Sequence, residues 1–170
     1  FRGEAEQLAR RFVKEVQQAR IARASPSPTF SAGQIEEKLK SVGFTKRQLR
    51  SFQIRDLIAL AGMQHGANFS VPGAGKTTVT LALNLLIKSP GQHLFVVAPK
   101  TAFSAWTSVV DECIDSKQPG AANEPFTILD GSQKENEELL QSSATRFLMS
   151  YDLMIRQQQM LSAYFARQAT

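Results

Sequence analysis

Ser70-Val71-Pro72-Gly73-Ala74-Gly75-Lys76-Thr77 is the stretch that decides how this chain is read. It lies between a short apolar run and a helical pattern, and it has the form of a phosphate-binding loop. Gly73 and Gly75 allow backbone conformations that a β-carbon forbids, so successive N–H groups can converge on one anion. Lys76 is spaced to reach the β- and γ-phosphates of a nucleotide, and the Thr77 hydroxyl to ligate the Mg²⁺ that accompanies them. A helix starting here adds the positive end of its dipole. Pro72, Ala74 and Thr78 complete the expected contact set. Residue 70 departs from the G-x-x-x-x-G-K-[ST] signature, being Ser where the pattern has Gly.

The flanks extend this reading. Residues 67–71 read as a short strand and 77–87 as a buried helix, the strand–loop–helix order that the signature requires. Further strands are expected at 93–98, 126–129 and 146–150. Helices are expected at 76–88, about 102–115, about 133–142 and about 152–166. Ser132-Gln133-Lys134-Glu135 is a capping box that marks the start of the third of these helices. Short apolar strands alternating with helices predict an α/β fold, a parallel sheet covered on both faces. Ligands of such sheets bind beyond the C-terminal strand ends, where the glycine loop is expected.

Ahead of the loop the pattern is helical. Ala5, Leu8, Ala9, Phe12, Val16 and Ala19 recur at helical spacing over residues 4–23, and Leu8, Phe12 and Val16 offer a docking stripe. Ala24-Ser25-Pro26-Ser27-Pro28-Thr29 then reads as a linker. A short helix over 35–42 is ended by Gly43. Thr45-Lys46-Arg47-Gln48 has the form of a capping box, which predicts a helix from Thr45 to about Ala61. Three parts follow: an N-terminal helix with its linker (1–30), a helical segment (31–66) and the loop-bearing α/β region (67–170).

Composition bounds the function. With 170 residues, 42% hydrophobic and 21% charged, the chain can bury one sizeable core and carry an arm. The single Cys113 leaves no internal disulfide and suits a reducing compartment, so a cytoplasmic location is expected, or a nuclear one in a eukaryote. No run approaches the roughly 20 apolar residues that span a bilayer, and no membrane partner is expected. The first residue is Phe1, which fits a processed or excised chain. The net charge of +5 is uneven, with 12 Lys/Arg against 6 Asp/Glu in residues 1–56 and 8 against 9 thereafter. That surplus fits attraction to nucleic acid phosphates, and equally a solvated helix face.

From Leu49 to Tyr151 the chain resembles the first half of a superfamily 2 helicase motor domain, nearest its Swi/Snf-like DNA-translocase branch. The loop of that superfamily commonly reads A-x-x-G-x-G-K-T, which makes Ser70 a small-for-small variant. Phe52-Gln53, 23 residues before Lys76, resembles the aromatic–Gln pair of the adenine-binding Q motif. A Gln amide can donate to adenine N7 and accept from N6–H together, although a solvent-facing helical Gln has the same look. Val96-Val97-Ala98-Pro99-Lys100-Thr101 with Trp106 resembles the motif after the second strand, which in the family faces the nucleic acid. There Lys100 supplies charge and Thr101 a phosphate contact. Trp106 is assigned to packing. Leu148-Met149-Ser150-Tyr151-Asp152-Leu153 resembles a later motif whose Ser approaches the nucleic acid backbone.

The resemblance covers about 100 of the 170 residues. It implies a RecA-like P-loop NTPase sheet, incomplete at its C-terminus and preceded by N-terminal helices. It further implies ATP with Mg²⁺ as the bound nucleotide, and Lys76 and Thr77 as catalytic residues. DNA is favoured over RNA as the partner, with a second RecA-like lobe supplied by the parent chain. Val109-Val110-Asp111-Glu112 looks like the acid pair that holds Mg²⁺ and polarises water, but its surroundings have helical spacing. The acid pair of such motors is therefore expected beyond Thr170, and this chain is expected to bind ATP with little turnover. The alternatives are a P-loop NTPase of another family and a non-catalytic basic module that binds nucleic acid or a partner.

Overall fold

The computed structural model describes residues 30–63 and 65–168, together with Glu6, Gln7, Arg10, Phe12, Val13, Lys14, Val16 and Gln17 of the N-terminal stretch. Those N-terminal residues are helical, as the periodicity predicts, and Phe12 is exposed, which fits an arm better than a docked helix, two readings that the sequence leaves open. Leu8 and the linker at 24–29 lie outside the described residues.

Helix α1 (Ala32–Ser41) starts at a capping box, the Ser31 side chain accepting from Gln34 N–H while the Gln34 side chain accepts from Ser31 N–H. Ile35 and Leu39, one turn apart, form its buried stripe. The chain leaves it through Gly43, whose φ of +83 suits a residue without a β-carbon. The next helix, α2 (Ser51–Ala61), begins six residues later than the Thr45 capping box predicts. The backbone of Thr45 and Lys46 is taken by a partner distant in sequence. Both N–H groups donate to Cys113 O, at 3.1 Å each, and Phe44 bridges Ile114. Phe44 is thereby held as a bridge, and Thr45 N–H is no longer free for the Gln48 side chain that the capping box requires.

Helix α3 (Lys76–Ile87) follows the glycine loop. Strand β1 (Leu94–Val97) leads through a 3₁₀ turn (Lys100–Ala102) into α4 (Phe103–Cys113). Then come β2 (Thr127–Leu129), α5 (Gln133–Leu140), β3 (Arg146–Met149), α6 (Tyr151–Arg156) and α7 (Gln158–Gln168). The single helix expected over 152–166 is thus two, separated at Gln157. The Gln157 amide turns inward and is held by Asn136 Nδ2 (2.9 Å) and Gly131 O (3.2 Å).

The fold is α/β. Its sheet has three parallel strands in the order β1-β3-β2, with Leu94 opposite Arg146 and Leu129 opposite Met149. Alternation along the strands divides the core in two. Val96 and Leu148 face α1 to α4, meeting Leu57, Leu81, Leu86 and Val110. Phe147, Met149 and Leu129 face α5 to α7, meeting Leu140, Leu161 and Tyr164. Both faces of the central strand β3 are covered, and all four of its residues are buried.

The strand predicted at 67–71 is absent. Residues 66–71 have no regular structure, and Phe69 and Val71 are 92% and 70% exposed. The residue types suit a strand, but none of the three sheet strands lies beside them. A strand without a ladder partner does not hold its shape in water.

A polar knot joins the chain segments at the start of β3. Thr145 Oγ1 donates to the Glu124 carboxylate, and Lys88 Nζ lies 3.5 Å from the same group. These contacts, the Thr145 hydrogen bond first, hold the Glu124 carboxyl below its ordinary value of 4.5. Its stabilising contribution is therefore present above that value and lost as pH falls through the depressed folded one. The melting-temperature difference between wild type and Glu124→Gln is expected to be present near pH 7 and to shrink below about pH 4.5. A difference independent of pH would contradict this.

Candidate functional site

The glycine loop is shaped by its two left-handed residues. Gly73 has φ +80, and Gly75, the N-cap of α3, has φ +77 and ψ +39. Between them Ala74 N–H closes a turn onto Val71 O (3.2 Å). Space constrains Gly75 as well, since a β-carbon there would lie 2.7 Å from Gln53 Nε2. No side chain caps α3, and its first helical backbone bond runs from Val79 N–H to Gly75 O (3.0 Å). The N–H groups of its first turn are left as donors for an outside acceptor.

The structure places the expected contact residues around this turn. Lys76 is exposed, and its ammonium folds back to donate to Ser70 O (2.5 Å) and Val71 O (3.1 Å). The cation therefore sits over the mouth of the loop. Thr77 is half-buried and Thr78 buried. Pro72 is exposed, and Ala74 turns its carbonyl towards α2.

Gln53 lies beside the loop. At 7% exposure it is a buried residue, not the solvent-facing one that its helical setting also permits. Its Nε2 donates to Ala74 O (3.0 Å) and its Oε1 accepts from Arg50 N–H (2.9 Å). One amide thus ties the first turn of α2 to the loop. An amide offers two donors and two acceptor sites, so one of each is left over. A groove of about 1020 Å³ opens between α2 and the first half of the loop, lined by Arg50, Phe52, Arg55, Asp56, Met63 and Phe69 with Ser70 to Ala74, while Gln53 and Gly75 to Thr78 lie outside its walls.

The site lies at the C-terminal end of the sheet. Helix α3 packs in the core beneath β1 and β3, and Lys88, just past its end, donates to Thr145 Oγ1 (2.9 Å) immediately before β3. The start of α3 is therefore at the opposite end, where the strands finish. Lys100 and Thr101 are exposed on the turn after β1. Ser150 follows β3, the neighbouring strand, and Ala98 N–H donates to Met149 O (3.0 Å) between the two ends. Ser150 itself is only 4% exposed, its Oγ capping α6 by accepting from Leu153 N–H (3.3 Å). Tyr151 is the exposed side chain at that end.

Asp111 and Glu112 lie exposed in the last turns of α4, as their helical spacing implies. Trp106, in the same helix, packs edge-on against Phe126 (5.6 Å), in keeping with a packing role. One residue at the site carried no sequence signal. Arg47, expected inside a helix, reaches Thr78 Oγ1 with Nη1 (2.8 Å) and the Glu112 carboxylate with Nη2 (3.2 Å). Among the described residues no helix is long and apolar enough to cross a membrane. No protein-family model, curated protein or solved structure matches the chain.

Proposed function

We propose that the chain is the ATP-binding part of a RecA-like nucleic acid motor, of the kind that superfamily 2 helicases and double-strand translocases represent. The observation that carries this reading is the loop. Two left-handed glycines deliver the chain to an uncapped helix start, with a lysine ammonium over the turn. Bare N–H groups, a helix dipole and an exposed lysine would form a site for a polyphosphate. Gly73 to Thr78 would hold the phosphates, with Lys76 neutralising charge on the outer ones and Thr77 lending its hydroxyl to Mg²⁺. Magnesium would supply charge neutralisation at the phosphates. An adenine base would lie in the groove against Phe52, and the buried Gln53, which holds Ala74 O at the edge of that groove, would read it with the donor and acceptor site that its two bonds leave over.

The exposed strand-end residues Lys100 and Thr101, with Tyr151, would form the face for a nucleic acid backbone, DNA in preference to RNA, while Ser150, buried and capping α6, would act only through that cap. The acids Asp111 and Glu112 sit on a helix with Glu112 paired to Arg47, so this part of the protein holds nucleotide without activating water. A second RecA-like lobe would complete the hydrolytic centre in the parent protein.

Titration with Mg²⁺-ATP and Mg²⁺-GTP tests the proposal. The wild type is expected to bind ATP the tighter by about tenfold, the scale of one good base-reading pair, and Gln53→Ala to lose that preference. Absence of nucleotide binding by the folded wild type would sink it. Equal affinity for the two nucleotides would move the chain to another class of P-loop protein.

A further inference from the structure

We infer that Arg47 is a positioning residue of the phosphate site, holding the first turn of α3 in its anion-binding form through Thr78; this rests on the nucleotide reading above. Thr78 follows Thr77 directly and is buried, and Arg47 Nη1 donates to its Oγ1 at 2.8 Å. The guanidinium comes from outside α3 and from outside α2. Its segment is sewn to the end of α4, Thr45 and Lys46 N–H both bonding Cys113 O, Lys46 Nζ bonding Asp111 O (3.0 Å) and Asp115 N–H bonding Gly43 O (2.8 Å). On its outer side Glu112 holds Nη2 at 3.2 Å, both side chains being about half exposed. A fork gripped at both ends is fixed in direction, as a Lys in its place would not be.

The sign of the charge is the second argument. A cation at the N-terminal turn of a helix opposes the helix dipole and works against the helix when nothing is bound. The same cation adds to the field of the bare N–H groups when an anion arrives. Arg47 is therefore placed in the wrong sense for folding and in the right sense for phosphate. Glu112 offsets the first effect at a solvent-exposed distance, where such a pair is worth little by itself. Gln53 fixes the loop from one side and Arg47 fixes the helix start from the other, so the six residues from Gly73 to Thr78 are held at both ends by side chains of the helical segment.

The experiment uses Mg²⁺-tripolyphosphate, which reads the phosphate cradle without a base, alongside Mg²⁺-ATP. Arg47→Ala and Thr78→Val are each expected to weaken both ligands about tenfold, a size typical of one charge-assisted hydrogen bond. The double variant is expected to lose little more than either single one, because the two side chains act as a unit. Thr78→Val keeps the volume of the side chain, so it reports on the hydrogen bond even where Arg47→Ala costs stability. Losses that multiply in the double variant would overturn the inference. So would unchanged tripolyphosphate affinity in Arg47→Ala, with binding still lost in Lys76→Ala. Failure of the wild type to bind either ligand would remove the nucleotide reading and the inference with it.

Discussion

Lys76→Ala is expected to weaken Mg²⁺-ATP binding by at least about 100-fold, or about 2.8 kcal/mol. The ammonium is a full positive charge at the loop, where it donates to Ser70 O and Val71 O. Charge-assisted hydrogen bonds contribute about 1.5–3 kcal/mol each, and an ammonium has three donors for the outer phosphates. The free protein loses much less. Lys76 is exposed, and the two loop carbonyls it leaves can turn to water. The melting temperature should therefore stay within about 2 °C of wild type, the shift of a surface change below about 0.5 kcal/mol. Calorimetric titration beside a thermal melt separates the two effects. Affinity within threefold of wild type would show that the lysine guards the loop without serving a ligand.

Arg146→Met is expected to cost about 2–6 kcal/mol of folding stability, which would leave a domain of this size barely folded. Arg146 is 1% exposed at the start of the central strand, an unusual address for a guanidinium. Its Nη1 donates to Glu124 O and its Nη2 to Ala122 O, pinning the segment that leads into β2. Each carbonyl that stays shut off from water once its partner is gone costs about 1–3 kcal/mol, which sets the upper end of the range, and turning to water sets the lower. Burial also pushes the Arg146 pKa down, with Glu124 opposing, and its Nε finds no partner, so the residue is no optimum of stability. Arg146→Lys should recover part of the loss, since one ammonium can reach one carbonyl. Denaturant melts measure both variants, and a loss below about 1 kcal/mol for Arg146→Met would show that the segment finds other partners.

Local pattern made most of this fold legible. Apolar runs at 93–98, 126–129 and 146–150 are legible as strands because they are short and apolar, the central one being buried on both faces while the flanking two are only partly covered. The loop was legible because its glycines answer to backbone geometry, which a neighbouring element can use but not replace. What stayed hidden depends on residues far away in the chain. Residues 67–71 look like a strand, and only the sheet order shows that nothing lies beside them. Thr45 looks like a helix cap until Cys113, 68 positions on, takes its N–H. Gln53 reads as a base contact, and what the fold shows is a buried amide that clasps the loop. Arg47 reads as one more basic residue, because a hydrogen bond to Thr78 leaves no mark in the local spacing of either.

Gly75 sets a limit on how far this protein can be hardened against heat. Replacing a glycine by alanine where alanine can take the same φ and ψ raises stability by about 0.4–1 kcal/mol, since the unfolded chain has fewer shapes to lose. At Gly75 that route is closed twice over, by its positive φ and by the Gln53 amide that lies 2.7 Å from where the methyl would go. Shortening Gln53 to make room would release Ala74 O and the loop with it. A thermostable version of this chain must therefore draw its gains from elsewhere in the fold, while the loop keeps the full entropic cost of ordering a glycine.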